Sequence, residues 1–591
     1  MTIVMIGLTA CTEDKPPVKI NDFFQQVFEE SLMDSPESLT YTRFMEQQGK
    51  PWRHNKLDDL SLAHEEKNMA RDHHNYDLLK GYDVNTLDGG ERLSARLMNW
   101  QMENDFALEK YRFHGYSITQ LDGLMNDYPL FMNGYHQINS VADAEDYIAR
   151  LQGVKQQFDD VLSRLKIQQE KGIILPKSLL GKVIEANKAF TAQDVRDNIL
   201  FKSFAKKVAG LKAIEDQVRT GLYDQAEQAI SQTVYPAYDK AIAFLVEQEK
   251  IASEDAGVWK LPDGDNYYQA KIRASTTTNM TAAEIHDLGL SEVARIQGEI
   301  MTILGKEGYD LARGFEVLIQ EMAEDDSFYY SDDDEGRAQI LKDYATIIEE
   351  VNARVADVFN VVPEMGVEVR RVPEFSEKSA PGAYYSGPAL DGSRPGIFWA
   401  NLYDIKATPK YGMRTLAYHE AVPGHHFQIA IAQELKDLPM FRKFSFYTAY
   451  TEGWALYSER LAKELGLQED SFDDIGRLQA ELFRAVRLVV DTGLHYKRWT
   501  REEAIDYMAR NTGYAMSDVV AEIERYMVWP AQALAYKVGM LKILELRETA
   551  KAALGENFDL RAFHDVMLTN GAMPLDILEE QVTDYIAKGK K

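Results

Sequence analysis

The chain is expected to be mainly α-helical, with a small β-sheet beside the helix that carries its chemistry. Three observations carry this expectation. Apolar residues recur at intervals of three and four over residues 20 to 350 and again over 410 to 585, the spacing of one helix face. Two short runs between residues 367 and 401 have strand character instead. No fixed repeat and no dinucleotide or phosphate fingerprint interrupts the pattern.

The clearest helix follows Ser140, where Tyr147, Ile148, Leu151, Val154, Phe158, Val161, Leu162 and Leu165 form one stripe and Asp143 is placed to cap the first turn. Thr281 with Glu284 makes a capping box ahead of another periodic run. Val367 to Val372 alternates with a period near two, and Gly396 to Asn401 is a short apolar run after a Gly/Ser/Pro turn, so both read as strands. The 591 residues exceed one simple core, yet no low-complexity linker divides them. Two interlocked lobes are expected: residues 20–262, and residues 263–591 after a Gly-, Pro- and Asp-rich boundary near Glu254 to Gly264. The seven acids among the thirteen residues Glu324 to Gly336 lack the alternating ligand pattern of an EF-hand and read as solvated surface.

Sixty-six basic against 94 acidic residues give a net charge of −28, and no basic stripe appears. Phosphate contacts need clustered Lys and Arg, so nucleic acid is excluded as a partner. The same charge repels anionic lipid headgroups, so contact with a membrane requires an anchor. Residues 1–19 supply a candidate. Leu8-Thr9-Ala10-Cys11 closes an apolar stretch and resembles a bacterial lipobox, in which the Cys is lipidated, and Thr12 to Lys19 reads as a polar tether. Cys11 is the only cysteine, so no intramolecular disulfide is possible. Lipidation implies a location in the cell envelope, on the outer membrane or the periplasmic face, since Thr12 rather than Asp follows the Cys. Without it the expected location is cytoplasmic.

The chemistry concentrates in His419-Glu420-Ala421-Val422-Pro423-Gly424-His425-His426, which holds three of the chain's twelve histidines beside an acid. In H-E-x-x-H the second histidine falls at i+4, on the same helix face as the first, and the Glu activates a water. Here i+4 is Pro423. On a regular helix His425 would point roughly 120° away from His419, and His426 would sit about 10 Å further along. Neither can share one tetrahedral ion with His419 unless the helix is distorted, and Pro423-Gly424 is expected to kink or bulge it. A plain helix end followed by a surface turn is the competing reading. His64-Glu65 with His73-His74 offers similar residues without a breaker and reads as a solvated helix face.

The segment H-E-A-V-P-G-H-H-F-Q resembles the signature of the bacterial family called domain of unknown function 885, whose members carry H-E-x-x-P-G-H and are placed among the zincin peptidases, near the gluzincins. Further similar segments follow in the same order: Thr276-Thr277-Thr278 with Thr281 to His286, Asp391 to Gly396, Glu452 to Tyr457, Val490 to His495, and Pro530 to Ala533. The resemblance implies a helical zincin-like fold and a Zn²⁺ site with His419 and His425 as ligands, Glu420 as general base and His426 as a spare. It implies Glu452 as third ligand, with Glu459 either its rival or an acid orienting a ligand histidine. His495 and Tyr536 are the candidates for stabilising an oxyanion. Arg487 and Asp491, at i and i+4 with His495 at i+8, are candidate substrate-side groups or a salt-bridged stripe. Ile397 to Asn401 is a candidate edge strand for a peptide backbone, or an ordinary hairpin strand.

The expected protein is thus a zinc-dependent peptidase acting on short peptides. Two alternatives stand beside it: a zinc hydrolase of other amides or esters, and a non-catalytic helical lipoprotein that binds peptides or scaffolds a partner.

Overall fold

The computed structural model describes residues 19–590 apart from 213, 375, 376, 378, 379, 390, 391 and 393, so the readings made at Cys11 and most of the tether lie outside the described residues. Helices dominate, and the described strands make one three-stranded sheet. Val141–Glu170 is a single helix, started by Ser140, whose hydroxyl accepts the Asp143 N–H, while the Asp143 carboxylate accepts the Asn139 N–H. Its predicted stripe is buried from Tyr147 to Leu165. Thr281 and Glu284 form the expected capping box at the head of Ala282–Lys306. Asp333 caps Asp334–Asn352 by accepting the Gly336 N–H, and Asp334 and Glu335 lie in that helix's first turn, where its dipole favours acids.

In the sheet, β1 (Val367–Arg371) runs parallel to β3 (Gly396–Ala400), and β2 (Ala383–Ser386) pairs with the other side of β3 in the antiparallel sense. The order is β1-β3-β2. This corrects the expectation that Ile397 to Asn401 forms an edge. Ile397 and Phe398 have partners on both sides, and the Asn401 N–H donates to the Gly382 carbonyl. The near-continuous apolar run of β3 is what a central strand needs. The edge beside the histidine-rich segment is β2, whose four residues are all half-buried.

Two large apolar cores organise the helices. One is built on Val141–Glu170 and its neighbours, the other on the sheet and the helices Lys410–Glu420, Thr448–Glu464 and Ala535–Leu554. Each core takes residues from both sides of residue 262. The helix Ser471–His495 stands between them, giving Leu478, Leu482, Val486 and Val489 to the first core and Leu488 to the second. His64 and His73, on Leu62–Leu79, pair with Asp34 and Glu109 and do not converge on a common point.

Thr448–Glu464 and Ala535–Leu554 cross in backbone contact. A Cβ at Gly453 would overlap the backbone of Gly539, and a Cβ at Gly539 would overlap the Ala449 carbonyl and Gly453. Neither neighbour is a side chain that can swing away. Gly539→Ala should therefore push the two helices apart and cost about 1–3 kcal/mol, the usual range for overpacking. A urea midpoint unchanged from the parent would refute this account of the crossing.

Candidate metal centre

The signature segment occupies the end of one helix, a turn and the start of the next. Lys410–Glu420 ends at Glu420, Ala421 to Gly424 form a turn with a cis Val422–Pro423 bond, and His425–Glu434 begins at His425. The expected kink or bulge is thus a complete break. Pro423 cannot continue the ladder, and Gly424 lies so close to the end of the first helix that a Cβ there would overlap the carbonyls of Tyr418 and His419. Breaking the helix frees His425 from the angular relation that separates it from His419 on a regular one. The imidazole centroids lie 4.8 Å apart, at 83° to each other.

A third helix, Thr448–Glu464, completes the cluster. Glu452 Oε2 lies 3.6 Å from His419 Nε2 and 3.4 Å from His425 Nε2, and one ligand atom from each residue falls within 4.8 Å of the others. Zinc takes nitrogen and oxygen ligands at about 2.0–2.2 Å, which sets the edges of its tetrahedron at roughly 3.3–3.6 Å. The two measured edges match that figure and are long for direct hydrogen bonds, so the donor set fits a tetrahedral ion with one position left open. Among the described residues no other group of His, Cys, Asp or Glu converges in this way.

The protein also orients these groups. Glu459 Oε1 lies 2.7 Å from His419 Nδ1, and a carboxylate there holds a proton on Nδ1 and keeps Nε2 aimed toward Glu452. Glu452 and Glu459 are therefore not rivals: one faces the cluster, the other holds His419 from behind. Burial works against a charged His419 ring, but the adjacent carboxylates of Glu452 and Glu459 outweigh it and raise its pKa to about 9. Burial likewise opposes ionisation of Glu452, yet the adjacent His425 and His419 hold its pKa far below the usual carboxylate range. Gln428 bridges the cluster, contacting His425 Nδ1 at 3.0 Å and donating to the Thr451 carbonyl. The turn is fastened to the third helix, since the Pro423 carbonyl accepts from Trp454 Nε1 at 2.9 Å and from the Ser458 hydroxyl at 3.2 Å. Gln428, Trp454 and Ser458 were not found by sequence reasoning, although Gln428 and Trp454 lie in segments that resemble the family and Ser458 directly follows one. Glu420 is buried next to His419, and among the described residues no protein donor reaches its carboxylate.

Other expected site residues have structural employment. His426 accepts the Tyr385 hydroxyl on Nδ1 and donates from Nε2 to the Met365 carbonyl, and burial lowers its pKa to about 4. It is not spare, because it ties β2 to the helix that begins at His425. His495 is corrected as an oxyanion donor: Nδ1 accepts the Val258 N–H and Nε2 donates to the Tyr526 carbonyl, leaving no free N–H. Asn401 spends its amide on the carbonyls of Glu377, Ala380 and Pro381 and holds a loop. Arg487 lies between the rings of Phe483 and Tyr536 and donates to Tyr526 and Glu522, so it belongs to a buried network rather than a surface stripe. Tyr536 meets Arg487 through its ring face, 4.6 Å away. Asp491 accepts from the Tyr268 hydroxyl and the Ala531 N–H.

The profile of the family described as bacterial protein of unknown function (DUF885) matches residues 36–582. The chain belongs to that family. A crystal structure of a candidate lipoprotein from Colwellia psychrerythraea is similar to this DUF885 protein over 96% of its length and 99% of the other chain, at 38% identity and a TM-score of 0.90. A candidate lipoprotein of unknown function from Shewanella oneidensis shares the fold at 18% identity and a TM-score of 0.76, over 96% of the DUF885 chain and all of its own. No curated protein matches the chain.

Two outcomes follow from the site's geometry. Glu459→Gln keeps an acceptor but removes the charge behind His419, and should weaken metal binding about 10- to 100-fold in a chelator competition, the usual cost of losing a partner behind a ligand. Unchanged affinity would show that Glu459 has no part in the site. Burial raises the Asp491 carboxyl to about 7, against which the Tyr268 and Ala531 hydrogen bonds pull. An unfolded Asp releases its proton near 3.9, so the stability from the retained proton is complete below about pH 4 and is lost as the pH rises through 7. Asp491→Asn should remove this decline, on the order of 1.4 kcal/mol per pH unit, when unfolding midpoints are compared between pH 4 and 7.

Proposed function

We propose that this DUF885 protein is a zinc-dependent hydrolase that cleaves peptide bonds in short peptides. The observation that carries the reading is the convergence of His419, His425 and Glu452 on one point, with Glu459 fixing the His419 proton. Zinc bound there would supply Lewis acidity, polarising a carbonyl and making water more acidic. Glu420, buried beside His419 and without a protein donor among the described residues, would take a proton from the attacking water and return it to the leaving amine. The side of β2 that pairs with no other strand among the described residues would offer backbone groups to an extended peptide, and the Tyr385–His426 bond holds that strand beside the helix that begins at His425. Tyr536, whose ring lies against Arg487, is the proposed oxyanion donor.

The lipobox-like segment at Cys11, with the names given to the Colwellia and Shewanella proteins, supports a lipid-anchored envelope protein. Among the described residues no helix is long and apolar enough to cross a membrane.

Elemental analysis of tag-free protein should find close to one zinc per chain, lost in both His425→Ala and Glu452→Ala. Glu420→Gln should keep the zinc and lose hydrolysis of a short-peptide panel by about 10²- to 10⁴-fold, the share of a general base. Wild-type protein that stays free of zinc after reconstitution would overturn the proposal in favour of a binding lipoprotein. Zinc with turnover of esters or other amides, but no peptides, would keep the site and change the substrate.

A further inference from the structure

The helix Ser471–His495 packs against both Lys410–Glu420 and Thr448–Glu464, and it carries a guanidinium that the protein leaves without a counter-charge. Arg484 donates from Nη1 to the Ala480 carbonyl of its own helix at 3.2 Å. It makes no ion pair among the described residues, and its Nη2 is neither bonded nor sealed off from solvent. Charged groups taken partly out of water are normally paired, and a chain with 94 acids against 66 bases has acids to spare. The neighbouring arginines follow that rule. Arg487 donates to Tyr526 and Glu522, and Arg525 to Glu522 and Gln532.

A second free donor stands in the same row of side chains. The Phe483 ring lies 4.8 Å from the Tyr514 ring and 4.4 Å from the Arg487 guanidinium, whose other side meets Tyr536 at 4.6 Å. Phe483, Arg484, Tyr514 and Tyr536 are each half-buried, so the row is a partly open wall rather than core. The Tyr514 hydroxyl has no partner among the described residues and, like Arg484 Nη2, is not sealed off. Burial raises the pKa of this phenol, the charges of Arg484 and Arg487 draw it down, and the charge of Glu459 adds to the rise. The hydroxyl thus lies within electrostatic reach of Arg484 and of the carboxylate behind His419. Asp518, the other acid in reach, pairs with neither arginine among the described residues.

We propose that Arg484 and the Tyr514 hydroxyl hold the C-terminal carboxylate of a short peptide. Both are donors without an acceptor, a carboxylate is the acceptor that a guanidinium matches best, and the Phe483 ring beside them gives the last side chain an apolar surface. The inference rests on the hydrolase reading and adds to it the end of the peptide that is recognised.

The test is calorimetric titration of the zinc-reconstituted whole chain with trialanine and with its C-terminal amide, alongside hydrolysis of the same two peptides. The acid should bind roughly tenfold more tightly than the amide, the usual worth of a hydrogen bond to a charged group. Arg484→Met should raise Kd and KM for the acid by about that factor and erase the preference, and Arg484→Lys should restore part of it. Tyr514→Phe, which removes one neutral donor, should weaken binding of the acid by about threefold. Arg484 is bonded only to its own helix, and Tyr514→Phe keeps the ring on Phe483, so the second variant remains informative should the first not fold. Acid-selective binding that Arg484→Met erases, without turnover of either peptide, would uphold the carboxylate site and count against the hydrolase reading alone. Turnover or binding indifferent to amidation, or a preference that survives in Arg484→Met, would overturn the carboxylate site and leave the hydrolase reading standing.

Discussion

The Pro423 carbonyl accepts two hydrogen bonds from Thr448–Glu464, and the relation between His419 and His425 depends on that attachment. A turn between two helices can leave in many directions. Trp454 and Ser458 select one, and they lie on the same helix as Glu452 and Glu459. A single rigid element thus supplies one proposed ligand, orients a second from behind and fixes the turn that delivers the third. Its own depth is set by the glycine contact between residues 453 and 539, which lets it lie against Ala535–Leu554 at backbone distance. Packing at that crossing and geometry at the cluster are one problem, since a displaced helix carries both acids and both clamps with it.

The polar surroundings of the cluster differ from those of the residues around His495. Near His419 a histidine keeps one ring nitrogen for a carboxylate and the other for the cluster. His495 gives both nitrogens to the backbone, as His426 gives its two to Tyr385 and the Met365 carbonyl. Asp491 joins helices in the same manner, accepting from Tyr268 and Ala531. Buried polar groups whose bonds are all made inside the protein hold elements in register. A group such as the Glu420 carboxylate, buried but without a protein donor among the described residues, is the one with capacity left for a small molecule.

Much of this was legible in the sequence. Three-and-four periodicity marked the long helix after Ser140, the Thr281–Glu284 pair marked a helix start, and the H-E-x-x-P-G-H spacing forced the conclusion that a regular helix cannot bring His419 and His425 together. The form of the solution was not legible, because Pro-Gly permits a kink, a bulge or a break, and the choice was made by Trp454 and Ser458 about 30 residues later. The roles of Glu452 and Glu459 stayed open for a related reason. Two turns of helix separate them, and only the position of His419 between them assigns each a face. The edge strand was misplaced because Ala383 to Ser386 is too short to show its period, while the stronger run of β3 is strong for being central. His495 lay in a family-like segment, and a motif match does not distinguish a histidine that meets a ligand from one that fastens a helix.

The helix Ser471–His495 has one face in each core, and no cut of the chain near residue 262 would leave either core whole. Such a wall makes the two cores thermodynamically interdependent: melting either one strips the support from a helix that the other requires. Unfolding should then be a shared event across the molecule, in which damage far from the histidines is felt there as lost stability without any conformational signal passing between them.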